Sequence, residues 1–222
     1  RIFSNPSAII GFTLLFCLAL SSFHLLAEPV NDQRLASAAS DGANWLGHGR
    51  DQAETRFSPL EQINATNIDQ LGLAWSANLP ATRGLQATPV VNDGVLYVTG
   101  TWSRLYAFDA ASGQQLWAYD PEVPRERGIS LCCGVVNRGA ALYQDMVYIG
   151  TLDGFLVAVD AHTGDEVWRT LTIDQSEHYA ITGAPRIANG VVVIGNGGSE
   201  FGVRGYVGGY DWASGEQLWR FY

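Results

Sequence analysis

The sequence has 222 residues, 47% hydrophobic, 11% aromatic and 16% charged, and its 13 basic against 22 acidic side chains give a formal charge of −9. That composition excludes a disordered chain, a collagen-like chain and a polytopic membrane protein. Every basic residue is arginine, which removes Schiff-base chemistry and the lysine of a phosphate-binding loop. An acidic chain with scattered arginines also lacks the clustered basic face that nucleic acid requires.

The chain opens on an address. Residues 8–20, AIIGFTLLFCLAL, form an uncharged apolar run after Arg1, followed by Ser21, Ser22 and the small Ala27. This reads as a secretory signal over residues 1–27, cut near Ala27; the alternatives are a buried helix or a membrane anchor. Phe16 before Cys17 is unlike a lipoprotein cleavage site. Cleavage would leave Cys132 and Cys133 as the cysteines of residues 28–222, in an oxidising compartment where a disulfide persists. No stable membrane span is expected after the signal.

A repeat follows. AFDAASGQQLW from Ala107, AVDAHTGDEVW from Ala158 and GYDWASGEQLW from Gly209 superimpose at an interval of 51 residues. A period near fifty marks a propeller or solenoid, in which each repeat needs neighbours to bury its faces. Within the first unit, residues 88–91, 95–100, 104–110 and 114–119 are short β-prone runs broken by Asn92-Asp93-Gly94 and Ser112-Gly113. Later units repeat them as VYIGT, FLVAVDA and EVWRT, then VVVIGN, GYVGGYD and EQLWRF. Four strands per unit is the content of a propeller blade. Asp109, Asp160 and Asp211 are placed to bind turn amides, with Gly113, Gly164 and Gly215 supplying positive backbone angles. Trp117, Trp168 and Trp219 suit packing against the adjoining blade. The expected fold class is therefore all-β: a partial β-propeller of three to four four-stranded blades, with a lead-in around Trp75. Propellers close with about four to eight blades, so residues 28–222 are expected to be the first part of a longer one.

Three features could carry chemistry. Cys132-Cys133 in SLCCGVVNRG would close an eight-membered ring if oxidised, straining the intervening peptide because disulfides prefer more distant Cα atoms. The alternative is a pair of buried thiols; in an exported chain the ring is favoured. Gly195-Asn196-Gly197-Gly198-Ser199-Glu200 lets backbone approach a flat ligand, with Glu200 offering hard oxygens to a cation. Arg138 is a planar fork suited to a carboxylate. Gln86-Ala87-Thr88-Pro89 and Thr182-Gly183-Ala184-Pro185 both lead into the first strand of a blade, and such loops gather at one end of a propeller channel.

CCGVVNRG followed by ITGAP and GNGGSEFGVRGY, after the opening NWLGHGRDQAETRFSPLEQIN at residues 44–64, resembles the quinoprotein alcohol dehydrogenases. These are exported enzymes using pyrroloquinoline quinone and a divalent cation on an eight-bladed propeller. The resemblance implies a vicinal disulfide of Cys132 and Cys133 against one face of the quinone. It further implies Arg138 on a cofactor carboxylate, with Thr182 and the backbone of Gly197, Gly198 and Ser199 adding hydrogen bonds. Glu200 becomes a calcium ligand, in a site that other divalent or trivalent cations could share. Gln86 stands where many relatives carry glutamate. The implied reaction is hydride transfer from a small alcohol to the quinone C5 carbonyl, polarised by the cation, with electrons passing to a cytochrome c or quinone acceptor in the periplasm. The aspartate base, the remaining cation ligands and any haem c domain are expected beyond Tyr222, leaving residues 28–222 inactive alone. A propeller scaffolding an outer-membrane assembly would explain the repeat equally well, but gives no reason for Cys132, Cys133, Arg138 and Glu200 to occur together.

Overall fold

The computed structural model describes residues 28–81 and 83–222; the expected export signal at 1–27 lies outside the described residues. Among them, no helix is long and apolar enough to cross a membrane. Among the described residues twelve strands form three sheets. The first holds β1 (Val90–Asn92), β2 (Val95–Thr99), β3 (Leu105–Asp109) and β4 (Gln115–Tyr119). The second holds β5 (Ala141–Tyr143), β6 (Met146–Gly150), β7 (Phe155–Asp160) and β8 (Glu166–Leu171), and the third β9 (Arg186–Ala188), β10 (Val191–Gly195), β11 (Val207–Asp211) and β12 (Gln217–Phe221). In each sheet the strands neighbour one another in chain order, giving three blades of a partial propeller. The 51-residue period reaches local irregularities too: the register shifts between Ala107 and Phe108, Ala158 and Val159, and Gly209 and Tyr210.

The expected strands are one or two residues too long where backbone groups are diverted. Thr88 donates its N–H to the Arg138 carbonyl instead of joining β1, and Tyr206 donates to Asn196 Oδ1 instead of extending β11. The sequence reading did not include α1 (Asp32–Ser37), capped by Asn31, whose Oδ1 accepts from Arg34 N at 2.9 Å. Its Asp32 accepts from Tyr143 Oη and from Asn189 N, both at 2.9 Å, tying the N-terminal segment to the second and third blades.

The core lies between blades. Successive side chains of a strand face opposite sides. Val147, Ile149, Val157 and Val159 therefore pack towards the first blade with Val90, Tyr97 and Leu105. Tyr148, Leu156 and Ala158 pack towards the third with Val192, Ile194 and Tyr210. The middle blade is buried on both faces, which is why β6 and β7 read as continuous apolar runs. Each fully buried aliphatic side chain stabilises this stack by about 1.5–3 kcal/mol.

The tryptophan motif joins the same sheets. Trp117 Nε1 donates to Ala161 O at 3.0 Å, and Trp168 Nε1 donates to Trp212 O at 3.2 Å, so each ring reaches the following blade. Trp75 makes the same bond to Ala110 O at 3.0 Å, and so docks on the first blade as Trp117 and Trp168 dock on the blades that follow them. Trp219 has no following blade among the described residues and is 43% exposed. The turns behave as their chemistry requires: Asp109, Asp160 and Asp211 accept from amides two or three residues on.

Candidate functional site

The site is built on the loops that enter the first strand of each blade. Thr88 N donates to Arg138 O at 3.1 Å, and Arg138 N donates to Thr182 O at 2.9 Å. These three residues lie on the segments that lead into β1, β5 and β9, so one backbone hydrogen-bond line stitches the three loops together. Asn137, buried, fixes the middle loop by donating to Gly150 O at 2.7 Å and accepting from Gly139 N at 3.0 Å. A two-residue bridge between Ala180 and Gly197 joins the third loop to the glycine-rich turn after β10.

One cavity of about 170 Å³ results, lined by Cys132, Cys133, Arg138, Thr182, Gly197, Gly198 and Glu200, with Ser130, Val136 and Ala180 between them. Residues from Cys132 to Glu200 in sequence, on the two interblade connections and on the β10–β11 connection within the third blade, thus meet at one place. The sulfurs of Cys132 and Cys133 face each other across a peptide whose Cα atoms are 3.8 Å apart, and both residues are exposed. Arg138 is half-buried, and its Nη1 donates to Thr182 Oγ1 at 2.5 Å. Among the described residues it has no carboxylate partner, so the rest of its fork is available to an anion.

The glycine turn divides its roles. Gly197 N donates to Ala180 O at 2.7 Å, so that amide is committed to the scaffold. The amides of Gly198 and Ser199 have no partner among the described residues, while their carbonyls accept from Phe201 and Gly202. Ser199 flanks the cavity without lining it, and Gln86 is exposed on the first lead-in loop, outside the lining. No group of three or more His, Cys, Asp or Glu side chains able to hold a metal ion converges among the described residues. Glu200 therefore offers one carboxylate, and an ion there would need further ligands.

A second cavity, of about 560 Å³, shares Arg138, Thr182 and Gly197 with the first and adds His48, Arg186 and Asn196. The sequence reading did not single out His48. Burial, then the guanidinium charges of Arg186 and Arg56, lower its pKa and favour the neutral ring, and its Nδ1 is buried without a partner. Only its place in the opening segment pointed to it; nothing local distinguishes it from a surface histidine. The first cavity alone is small for a planar acid of cofactor size, whereas the two together reach the few hundred cubic ångströms such ligands occupy.

Residues 45–222 match the family model described as "PQQ: Glucose/ethanol/alcohol dehydrogenase, beta-propeller domain". The chain belongs to this family. It is 52% identical over 209 residues to the quinohemoprotein alcohol dehydrogenase ADH IIB of Pseudomonas putida, covering 94% of this chain and 30% of that protein. It is 57% identical over 171 residues to the 1-butanol dehydrogenase (cytochrome c) of Thauera butanivorans, covering 77% of this chain and 25% of that one. The solved structure of quinohemoprotein alcohol dehydrogenase ADHIIG from Pseudomonas putida HK5 superimposes with a TM-score of 0.86 at 50% identity, over 88% of this chain and 29% of its own. The chain thus spans a quarter to a third of the length of these relatives.

Proposed function

We propose that the protein containing this chain is a pyrroloquinoline quinone-dependent alcohol dehydrogenase, and that these residues form one wall of its cofactor site. The observation that carries the reading is the convergence of Cys132, Cys133, Arg138, Thr182 and Glu200 on one cavity. The residues present fit a flat, multiply anionic group. Arg138 has unpaired donors, the amides of Gly198 and Ser199 are unpartnered, and the cysteine pair with the side-chain-free glycines leaves room for a plane. A bound quinone would supply the two-electron acceptor that oxidation of an alcohol carbon needs.

The chain's own contribution is binding and orientation. Arg138 would hold a quinone carboxylate as a charge-assisted fork, with Thr182 fixing the guanidinium by accepting from Nη1. Cys132 and Cys133, joined as a disulfide, would form a rigid apolar face against the ring. Gln86 would donate an amide hydrogen bond from the first lead-in loop. Glu200 would give one oxygen ligand to calcium or a similar cation, completed outside residues 28–222 together with the base that removes the alcohol proton. The name of the 1-butanol dehydrogenase (cytochrome c) favours a primary alcohol as substrate and a cytochrome c as acceptor, and the quinohemoprotein name of the other relative favours a haem elsewhere in the protein. Residues 1–27 would direct export to the periplasm and be removed, leaving 28–222 as the start of the propeller domain.

The test is reconstitution. Full-length apo-protein titrated with pyrroloquinoline quinone and calcium should gain quinone absorbance at one equivalent and reduce a dye when 1-butanol is added. Binding of the quinone unaffected by Arg138→Ala, or no binding at all, would refute the assignment.

A further inference from the structure

The two walls of the cavity come from separate connections. One, residues 125–134, carries the cysteines; the other, residues 197–200, carries the glycine turn and Glu200. Between them runs the segment 174–180, and it touches both. On the glycine side, the His178 ring packs on Phe201 with centroids 5.5 Å apart, and the His178 carbonyl occupies the place a Cβ on Gly198 would take. Tyr179 Oη donates to Arg204 O at 3.0 Å, and Ala180 pairs with Gly197.

On the cysteine side the segment is held by Arg127. Its Nη1 donates to Gln175 O and its Nη2 to Tyr179 O, both at 2.9 Å. Ser130 Oγ adds a contact to His178 Nδ1 at 3.1 Å. Arg127 forms no ion pair among the described residues, so its charge is spent on two backbone carbonyls. Such charge-assisted bonds are stronger than neutral ones. The turn that presents Arg127 (Arg125–Ser130) is itself seated: Arg125 lies 4.1 Å over the Trp102 ring, and the ring is 3.6 Å from where a Gly128 Cβ would point. Trp102 holds a left-handed backbone conformation at φ 62°, and its N–H donates to Val135 O at 2.9 Å. A bulky residue persists there only when its surroundings over-determine it.

We propose that Arg127 is a positioning residue that sets the distance between the cysteine pair and the Glu200 turn, by clamping segment 174–180 to the cysteine loop. Its guanidinium touches no reacting atom; it acts through Gln175 and Tyr179. Lysine has one point charge and cannot bridge both carbonyls in one plane, so it restores only part of the clamp.

Two measurements on the full-length protein test this. The geometric part is read by hydrogen exchange without cofactor: Arg127→Gln should accelerate exchange at least tenfold in both residues 128–137 and residues 175–200. The second part rests on the quinone reading: Arg127→Gln should weaken quinone binding about tenfold and Arg127→Lys by less. Arg169→Gln, which breaks a surface pair with Glu166 on β8, should leave both readouts unchanged while lowering thermal stability. Exchange altered only in residues 128–137, quinone affinity within twofold of the unsubstituted protein, or equal losses from Arg169→Gln would overturn the clamp. Should Arg127→Gln fail to fold, the same limits apply to Arg127→Lys. If the unsubstituted protein binds no quinone, the functional reading falls and hydrogen exchange alone judges the clamp.

Discussion

Blade docking through the tryptophan motif can be isolated by comparing two glycines with nearly the same backbone. Gly94 has φ +81° in the β1–β2 turn and Gly164 has φ +80° in the β7–β8 turn. Alanine in the left-handed region costs roughly 1–2 kcal/mol at either position. At Gly94 an added Cβ meets nothing within 4 Å, so that cost is the whole effect. At Gly164 the same Cβ falls 2.8 Å from Cδ2 and Cε3 of Trp117, and the ring is held by its bond to Ala161 O. Overpacking of this kind adds about 1–3 kcal/mol, so Gly164→Ala should lose about 2–5 kcal/mol in total. Urea unfolding at unchanged slope measures both losses. Adding Trp117→Leu to Gly164→Ala should give a loss smaller than the sum of the two single changes by at least about 1 kcal/mol, since the clash disappears with the ring. Equal losses at Gly94 and Gly164, or strict additivity with Trp117→Leu, would show that the ring does not dock on the turn.

Burial raises the pKa of Asp160, but the bonds from Thr163 and His162 outweigh it and leave the carboxyl below its ordinary value. The stability this contributes is present above the usual carboxylate range and is lost as pH falls through the folded value. The gap between the unsubstituted protein and Asp160→Asn should therefore narrow between about pH 6 and about pH 3, on either side of the unperturbed value near 3.9; a gap constant across denaturation curves at both pH values would contradict this. Glu200→Gln removes the carboxylate charge offered to a cation and should raise the calcium concentration for half-maximal quinone binding at least about tenfold, with less effect at saturating calcium; unchanged calcium dependence in that titration would remove Glu200 from the ligand set. Thr182→Val deletes the oxygen that accepts from Arg138 Nη1 and should weaken quinone binding about fivefold, the value of one ordinary hydrogen bond near 1 kcal/mol, as read by fluorescence titration.

The scaffold was legible because it repeats. An aspartate, a glycine and a tryptophan recurring every 51 residues mark the same turn and the same docking ring three times, and the strands between them follow from alternation and turn residues. α1 was missed for the opposite reason. Six residues are too few to show a helical period, and what holds α1 in place, Asp32 to Tyr143 and Asn189, joins residues more than a hundred positions apart. The site residues were read from chemistry and resemblance. One cavity brings Cys132, Cys133, Arg138, Thr182, Gly197, Gly198 and Glu200 together and leaves Gln86 and Ser199 outside its lining; the Gly197 amide belongs to Ala180, and no sequence pattern announces that bridge. His48 and Arg127 were invisible because their meaning lies in what they face.

Register explains why a periodic scaffold can hold an aperiodic site. Gln86, Asn137 and Thr182 each stand four residues before the first strand of their blade, at one position in three successive repeats, while the hydrogen-bond line between the lead-in loops runs obliquely to it through Thr88, Arg138 and Thr182. The scaffold does not dictate the side chain there, so the same position carries an amide in two blades and a hydroxyl in the third. Of the three, Thr182 lines the cavity, and Asn137 is buried between Val136 and Arg138, which also line it. Gln86 is thus the register equivalent of Thr182, although it is exposed and outside the lining. A ligand spanning that wall would meet a different side chain at each blade while the blades themselves stay interchangeable. Repetition fixes where the positions are, and the departures from repetition decide what binds.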